Sequence, residues 1–152
     1  MLEWMILPLK RYADFKGRSR RKEFWSWILF NVIVLIVLMA IVFGTGFSTA
    51  AILADPGNPL AVYGSLFSGT GVLLLIWGLA TFIPNIAVTV RRLHDRDMSG
   101  WWYLGFFIAG FIPFVNMISG IALIVLMFLD GTRGPNRFGP DPKDPTSAAV
   151  FA

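Results

Sequence analysis

The chain has 152 residues, of which 56% are hydrophobic and 14% charged, and a formal net charge of +4. Soluble domains average roughly 25% charged residues, so these proportions, with a mean hydropathy of +0.67, exclude an ordinary soluble globule and point to lipid. No cysteine is present, which removes disulfides, thiol nucleophiles and thiolate metal sites. The basic residues flank apolar segments instead of covering a soluble face, so they suit anionic headgroups and argue against nucleic acid.

In chain order, Leu2, Met5, Ile6 and Leu9 recur at helical spacing. This fits an interfacial amphipathic helix or, because Pro8 interrupts the pattern, a frayed terminus. A basic segment, Lys10 to Lys22, precedes a charge-free run from Phe24 to Ala54. The run is too long for the roughly 7 to 15 apolar residues of a signal peptide, even with the small residues at Ser48 to Ala51, so an uncleaved anchor with Met1 retained is expected. Ser19 is placed to cap a helix entering at Arg20. Ala54, Asp55, Pro56, Gly57, Asn58 and Pro59 form a turn without a basic residue, and a second charge-free run extends from Pro56 to Val90.

The third apolar run, Trp101 to Leu129, would measure about 44 Å as one straight helix, against a hydrocarbon core of roughly 30 Å. Pro113 interrupts it, with Gly110 before and Asn116 and Gly120 after, which favours two short legs meeting near Pro113 to Asn116 over a single tilted span. Beyond Asp130, repeated Pro and Gly predict turns or extended chain. Trp25, Trp27, Trp101, Trp102 and Tyr103 stand where charged and apolar runs meet, as an interfacial aromatic belt requires.

All thirteen Lys and Arg fall in three segments, Lys10 to Lys22, Arg91 to Arg96 and Arg133 to Lys143. Basic residues beside short loops mark the cytoplasmic side, which predicts an outward first span, a returning second span, and a third run that begins and ends inside. The expected organisation is a single all-α membrane domain over 1–145, with segments near 24–46, 67–92, 101–112 and 114–129. A disordered tail, 146–152, follows.

Three charged motifs thereby meet on one membrane face: FKGRSRRKEFW (Phe15 to Trp25), RRLHDRDMSGWW (Arg91 to Trp102) and GTRGPNRFGPDP (Gly131 to Pro142). In this order they resemble the domain of unknown function 805 family, small bacterial inner-membrane proteins of the YhaH type, over nearly the whole chain from about Tyr12 to Pro142. The resembling residues are Gly17, Arg18, Arg21, Glu23 and Trp25, then Arg91, Arg92, Leu93, His94, Asp95, Ser99, Gly100 and Trp101, then Gly134, Asn136, Phe138, Gly139 and Pro142. The family tends to have glycine where this chain has Asp97, which implies a positive-φ turn made here by Asp. The resemblance implies a bacterial inner-membrane location and a multi-helix fold, and supplies no activity.

Two readings of the middle motif stand. In one, Arg91 and Arg92 both reach Asp95, four and three residues on, and close a helix end whose macrodipole they complement. In the other, Arg18, Arg21, Arg91, Arg92 and His94 contact an anionic lipid or ligand, with Glu23 and Asp95 orienting the arginines, His94 able to change charge near neutral pH, and the tail motif Gly134, Asn136, Phe138 and Gly139 alongside. His94 and Asp95 are adjacent, so on a helix they point about 100° apart and form neither a local triad nor, with Asp97, a zinc site. No catalytic residue, metal or cofactor is expected.

The spans hold no ionisable group. Asn31, Thr81, Asn85, Thr89, Asn116 and Ser119, with Pro84 beside Asn85, are the polar candidates for a transport path, against the plainer reading that they satisfy backbone groups or link helices. Ser65 and Gly69 form a small-residue pair of the kind seen at helix contacts. The sequence therefore predicts a polytopic inner-membrane protein with both termini cytoplasmic and no enzymatic activity: a scaffold or partner-binding protein whose basic face contacts anionic headgroups, with a protein partner or homo-oligomer. A small-solute or ion transport component comes second, and an enzyme acting on lipid phosphates third.

Overall fold

The computed structural model describes residues 2–45, 53, 57–60, 63–64 and 69–144. Among the described residues it is all-α, with five helices and no strand beyond a single bridge between Asn136 and Gly139. They are α1 (Leu2–Lys10), α2 (Arg21–Thr45), α3 (Val72–Asp95, preceded by a 3-10 turn at Gly69–Gly71), α4 (Trp101–Ala109) and α5 (Val115–Phe128). The chain clusters into two units, Met1–Ile28 with Ile83–Ala152, and Leu29–Phe82. Of the expected turn at 54–59, residues 54–56 lie outside the described residues, as do Ser48 to Ala51, Ser65 and the tail 146–152.

Helices α2 and α3 are each long and apolar enough to cross a membrane. Their apolar side chains are not the core of a soluble fold: only 11% and 22% of the most apolar stretch of each is buried. Leu29, Ile33, Ile36, Val37, Ile76 and Leu79 stand exposed, an apolar surface that water does not tolerate and lipid does.

The third apolar run is a helical hairpin. Helix α4 stops at Gly110, the chain turns through Phe114 at φ 64, and α5 returns in contact with α4. The legs have nine and fourteen residues, or about 14 and 21 Å, each shorter than the hydrocarbon core. The end of α4 precedes Pro113, as the clash of a proline ring with the preceding turn dictates.

At the N-terminus the helical alternative forms, and the expected Ser19 cap does not. Helix α1 runs through Pro8, which is buried together with Met5 while Leu2 and Ile6 stay exposed. Helix α2 begins at Arg21, so Ser19 is not its cap: the Ser19 hydroxyl approaches only the Arg20 carbonyl at 3.5 Å, and its backbone N–H donates to Arg91 O at 3.1 Å. Trp27, expected in the interfacial belt, is fully buried, and its indole N–H donates to Asn85 Oδ1 at 2.6 Å. Trp101 and Trp102 remain exposed, 77% and 56%. Thr81 and Thr89 turn their hydroxyls back to Trp77 O and Asn85 O, and Ser119 does the same to Asn116 O. The polar groups of these spans serve backbone and helix contacts.

The end of α3 is closed by a Schellman motif. Met98 N–H donates to Leu93 O, Asp97 N–H to His94 O, and Asp97 takes φ 58, the left-handed position that glycine usually fills. A β-branched side chain pays the full steric cost there. Asp97→Val should lower stability by about 1–2 kcal/mol while Asp97→Gly preserves it, read as the thermal unfolding midpoint in detergent.

Candidate functional site: a buried arginine–carboxylate junction

Sequence spacing brings Arg91, Arg92, His94 and Asp95 to the last turns of α3, and the Schellman turn fixes that end. The Asp95 carboxylate is shared. Arg18 approaches Oδ1 through Nε and Nη2, both at 2.9 Å, and Arg92 Nη1 binds Oδ2. Arg91 does not pair with Asp95; its Nη2 donates to Glu23 Oε1 on α2 at 2.9 Å and its Nη1 to Asp14 O, while its Nε–H is buried without a partner among the described residues. The five side chains Arg18, Glu23, Arg91, Arg92 and Asp95 are all at least 94% buried.

Three arginines face two carboxylates, and backbone carbonyls solvate the excess positive charge. Arg18 donates to Gly134 O and Thr132 O. Arg92 donates to Met127 O at 3.3 Å and to Leu129 O, and Arg21 to Phe128 O at 3.1 Å. The two arginines thus serve three successive carbonyls that the end of α5 leaves free, at the negative pole of its dipole. Arg21 also pairs with Asp130 at 2.6 Å and stays 44% exposed.

The tail motif completes the junction. Asn136 donates to His94 O at 2.9 Å and to Thr132 Oγ1, its own Oδ1 accepts Phe138 N–H, and it exchanges backbone bonds with Gly139. Thr132 N–H donates to Asp95 O at 2.8 Å. His94 is half-buried, with Nδ1 3.1 Å from Gly17 O and its ring stacked on Phe138 at 3.9 Å. Since a carbonyl only accepts, Nδ1 carries the proton. Gly17, Gly134 and Gly139 take φ 77, 74 and 140, conformations that account for glycine at these three motif positions. Asp141 receives the Lys143 and Gly134 N–H groups, which hold its carboxyl below the ordinary 3.8.

Sequence reasoning missed Gly131, Thr132 and Asp14. A Cβ at residue 131 would overlap the Asp95 carboxylate, and nothing in a Pro- and Gly-rich tail singles that glycine out. Gly100 is similar, since a Cβ there would lie 2.8 Å from Val90 Cγ1.

Beside the junction lies a cavity of about 280 Å³, walled by Trp4 and Leu7 of α1, by Lys16 and Arg20, and by Pro140 and Pro142 of the tail. Burial acts to raise the Asp14 carboxyl at its rim, but the Lys16 N–H and Arg11 outweigh it and leave the pKa below 3.8. Arg11 binds Asp14 at 2.8 Å. Arg20 donates through Nε to Pro142 O and stands over the Trp4 ring at 5.9 Å.

The family model described as "Protein of unknown function (DUF805)" matches residues 12–140, the span that holds all three motifs. The chain belongs to this family. It is 39% identical to "Inner membrane protein YhaH" of Escherichia coli (strain K12) over 142 residues, 93% of this chain and 98% of that protein. It is 35% identical to "Inner membrane protein YhaI" of the same organism over 142 residues, covering 93% and 97%. To "Uncharacterized protein YiiR" it is 30% identical over 149 residues, covering 86% and 87%. No solved structure matches. In this DUF805 protein the first, middle and last motifs are the parts of one buried junction.

Removing one member of a buried ion pair leaves an uncompensated charge and costs about 3–5 kcal/mol, whereas an exposed pair contributes about 0–1. Asp95→Ala should therefore unfold the chain at a far lower temperature than Arg137→Ala, which breaks only exposed contacts, the 3.2 Å pair and the 2.7 Å carbonyl bond to Asp97 and the packing over Phe138. Gly131→Ala should approach the Asp95→Ala effect. Equal midpoints for Asp95→Ala and Arg137→Ala would contradict a buried junction.

Proposed function

We propose that this DUF805 chain is a polytopic inner-membrane protein without catalytic activity, a scaffold or partner-binding protein whose basic cytoplasmic face rests on anionic lipid headgroups. The division of its cations carries this reading. Arg18, Arg91 and Arg92 are committed to buried carboxylates and carbonyls. Lys10, Lys16, Lys22 and Arg133 are exposed, without a side-chain partner among the described residues, and they lie close in sequence to apolar runs or to the junction. The expected headgroup contacts thus pass from the buried arginines to these exposed cations, and Arg21, half-exposed beside Asp130, sits between the two groups.

Two further features support the reading. The junction ties residues 18–23, 91–95 and 127–136 to one end of the helices, so all thirteen Lys and Arg belong to segments joined there. The positive-inside rule assigns such an end to the cytoplasm, with both termini on that side and the α4–α5 hairpin entering and leaving the membrane from it. The relatives YhaH and YhaI bear the name inner membrane protein. The hairpin legs, each too short to span alone, pair with one another.

A cation near an anionic surface contributes about 1 kcal/mol. Native mass spectrometry of the protein released from membranes of mixed phosphatidylglycerol and phosphatidylethanolamine should show phosphatidylglycerol enriched over its bulk fraction. The combined Lys10→Ala, Lys22→Ala and Arg133→Ala substitutions should lower the enrichment without moving the unfolding midpoint. Bulk composition around the unmodified protein would overturn the proposal. For the topology, a reporter that matures only in the cytoplasm should be active when fused after Ala152; inactivity there, with activity of a periplasmic reporter, would reverse the assignment.

A further inference from the structure

The cavity between α1, the Gly17 turn and the tail has a depth, a charge and a size that together specify a ligand. Its depth follows from the chain. Arg20 lies four residues ahead of Phe24, where the charge-free run of α2 begins, a rise of about 6 Å. The polar region on each side of the hydrocarbon core is roughly 5–8 Å thick, so the cavity mouth lies at the level of lipid phosphates. Leu2 and Ile6 of the adjoining α1 are exposed, as suits a helix resting in that interface.

The charge follows from what the lining residues already hold. Arg18 and Glu23 also line the cavity, but their charges are committed to Asp95 and Arg91. Arg11 and Asp14 neutralise each other. Lys16 and Arg20 remain. Among the described residues the Lys16 ammonium has no partner, and Arg20 donates through Nε alone, to Pro142 O, leaving both Nη groups free to donate. Two cations with unspent N–H donors over an aromatic wall match the several acceptor oxygens of a phosphate group. About 280 Å³ lies just under the usual range of roughly 300–1,000 Å³ for small-molecule pockets, enough for a headgroup whose acyl chains stay in the bilayer.

We propose that this cavity is a binding site for a phosphate group, held by Lys16 and Arg20 and supplied by an anionic phospholipid headgroup or by free phosphate. The proposal rests on the headgroup reading above and narrows it to one saturable site. Lys16→Glu tests it because it removes no side-chain contact within the protein. Arg137→Glu makes the same charge change at an exposed residue outside the cavity lining. In phosphatidylcholine nanodiscs doped with phosphatidylglycerol, native mass spectrometry should show one phosphatidylglycerol bound saturably, with affinity reduced on the order of tenfold or more by Lys16→Glu and within twofold of the unmodified chain for Arg137→Glu. Inorganic phosphate titrated against the protein in pure phosphatidylcholine nanodiscs separates the sources: binding lost in Lys16→Glu assigns the free anion, and no binding alongside retained lipid assigns the headgroup. Equal loss from the two variants would overturn the site and leave the broader headgroup reading standing. No preference for phosphatidylglycerol and no phosphate binding would overturn both.

Discussion

The fold of this protein turns on one carboxylate. Asp95, at the end of α3, is 2% exposed and receives a guanidinium on each oxygen. Arg18 reaches it from a segment 77 residues away, and Arg92 from three residues away on the same helix. Arg92 is also fastened to the end of α5 and Arg18 to the tail. A buried charge without partners is too costly to persist, so each segment can leave its place only by exposing or stranding a charge. Buried ion pairs are poor evidence for net stability, since apolar groups of the same volume often do as well. What they contribute here is location: the network is satisfied only when α2, α3, α5 and the tail meet at one end and in one register.

That role suits a helix assembly in lipid. Between apolar helices in a bilayer there is little hydrophobic force, because the lipid tails are as apolar as leucine. The exposed surfaces of α2 and α3 fit this, with few buried side chains along their apolar lengths. The burial in the unit that holds the junction is correspondingly polar: Ser19, Glu23, Ser26, Arg91, Arg92 and Asp95 are buried alongside Phe24, Trp27, Leu93 and Met127. Gly131 and Gly100 permit this closeness, one leaving room for the Asp95 carboxylate and the other for Val90.

Much of this was legible in the sequence. The clustering of the cations foretold that three distant segments meet and Pro113 foretold the hairpin, while the positive φ that Asp97 adopts was implied by the family resemblance alone. Partner choice was not legible. Helical spacing offers Asp95 to both Arg91 and Arg92, and the rival claim of Glu23, 68 residues from Arg91, is a matter of tertiary packing that no local pattern encodes. Nor could spacing tell a lipid-facing tryptophan from a buried one. Helix α2 is apolar on every side, so its pattern assigns no face; that Trp27 meets Asn85 through its indole N–H while Trp25 stacks on Phe128 is decided by tertiary packing.

The same packing separates two kinds of cation that look alike in one dimension. In the segment from Lys16 to Lys22, charged residues alternate between buried and open environments: Lys16 and Lys22 are exposed, Arg18 is buried, and Arg20 is intermediate. Between Gly17, at positive φ, and the start of α2 at Arg21, Arg18 faces the junction and Arg20 the cavity. Pro142 holds Arg20 by its carbonyl, and Asp141 beside it accepts the Gly134 N–H while Gly134 O accepts from Arg18. The tail is thus bonded to the buried cation and to the open one at once. A phosphate bound through the free Nη groups leaves the Nε bond to Pro142 in place, so Arg20 can hold the ligand and the tail together.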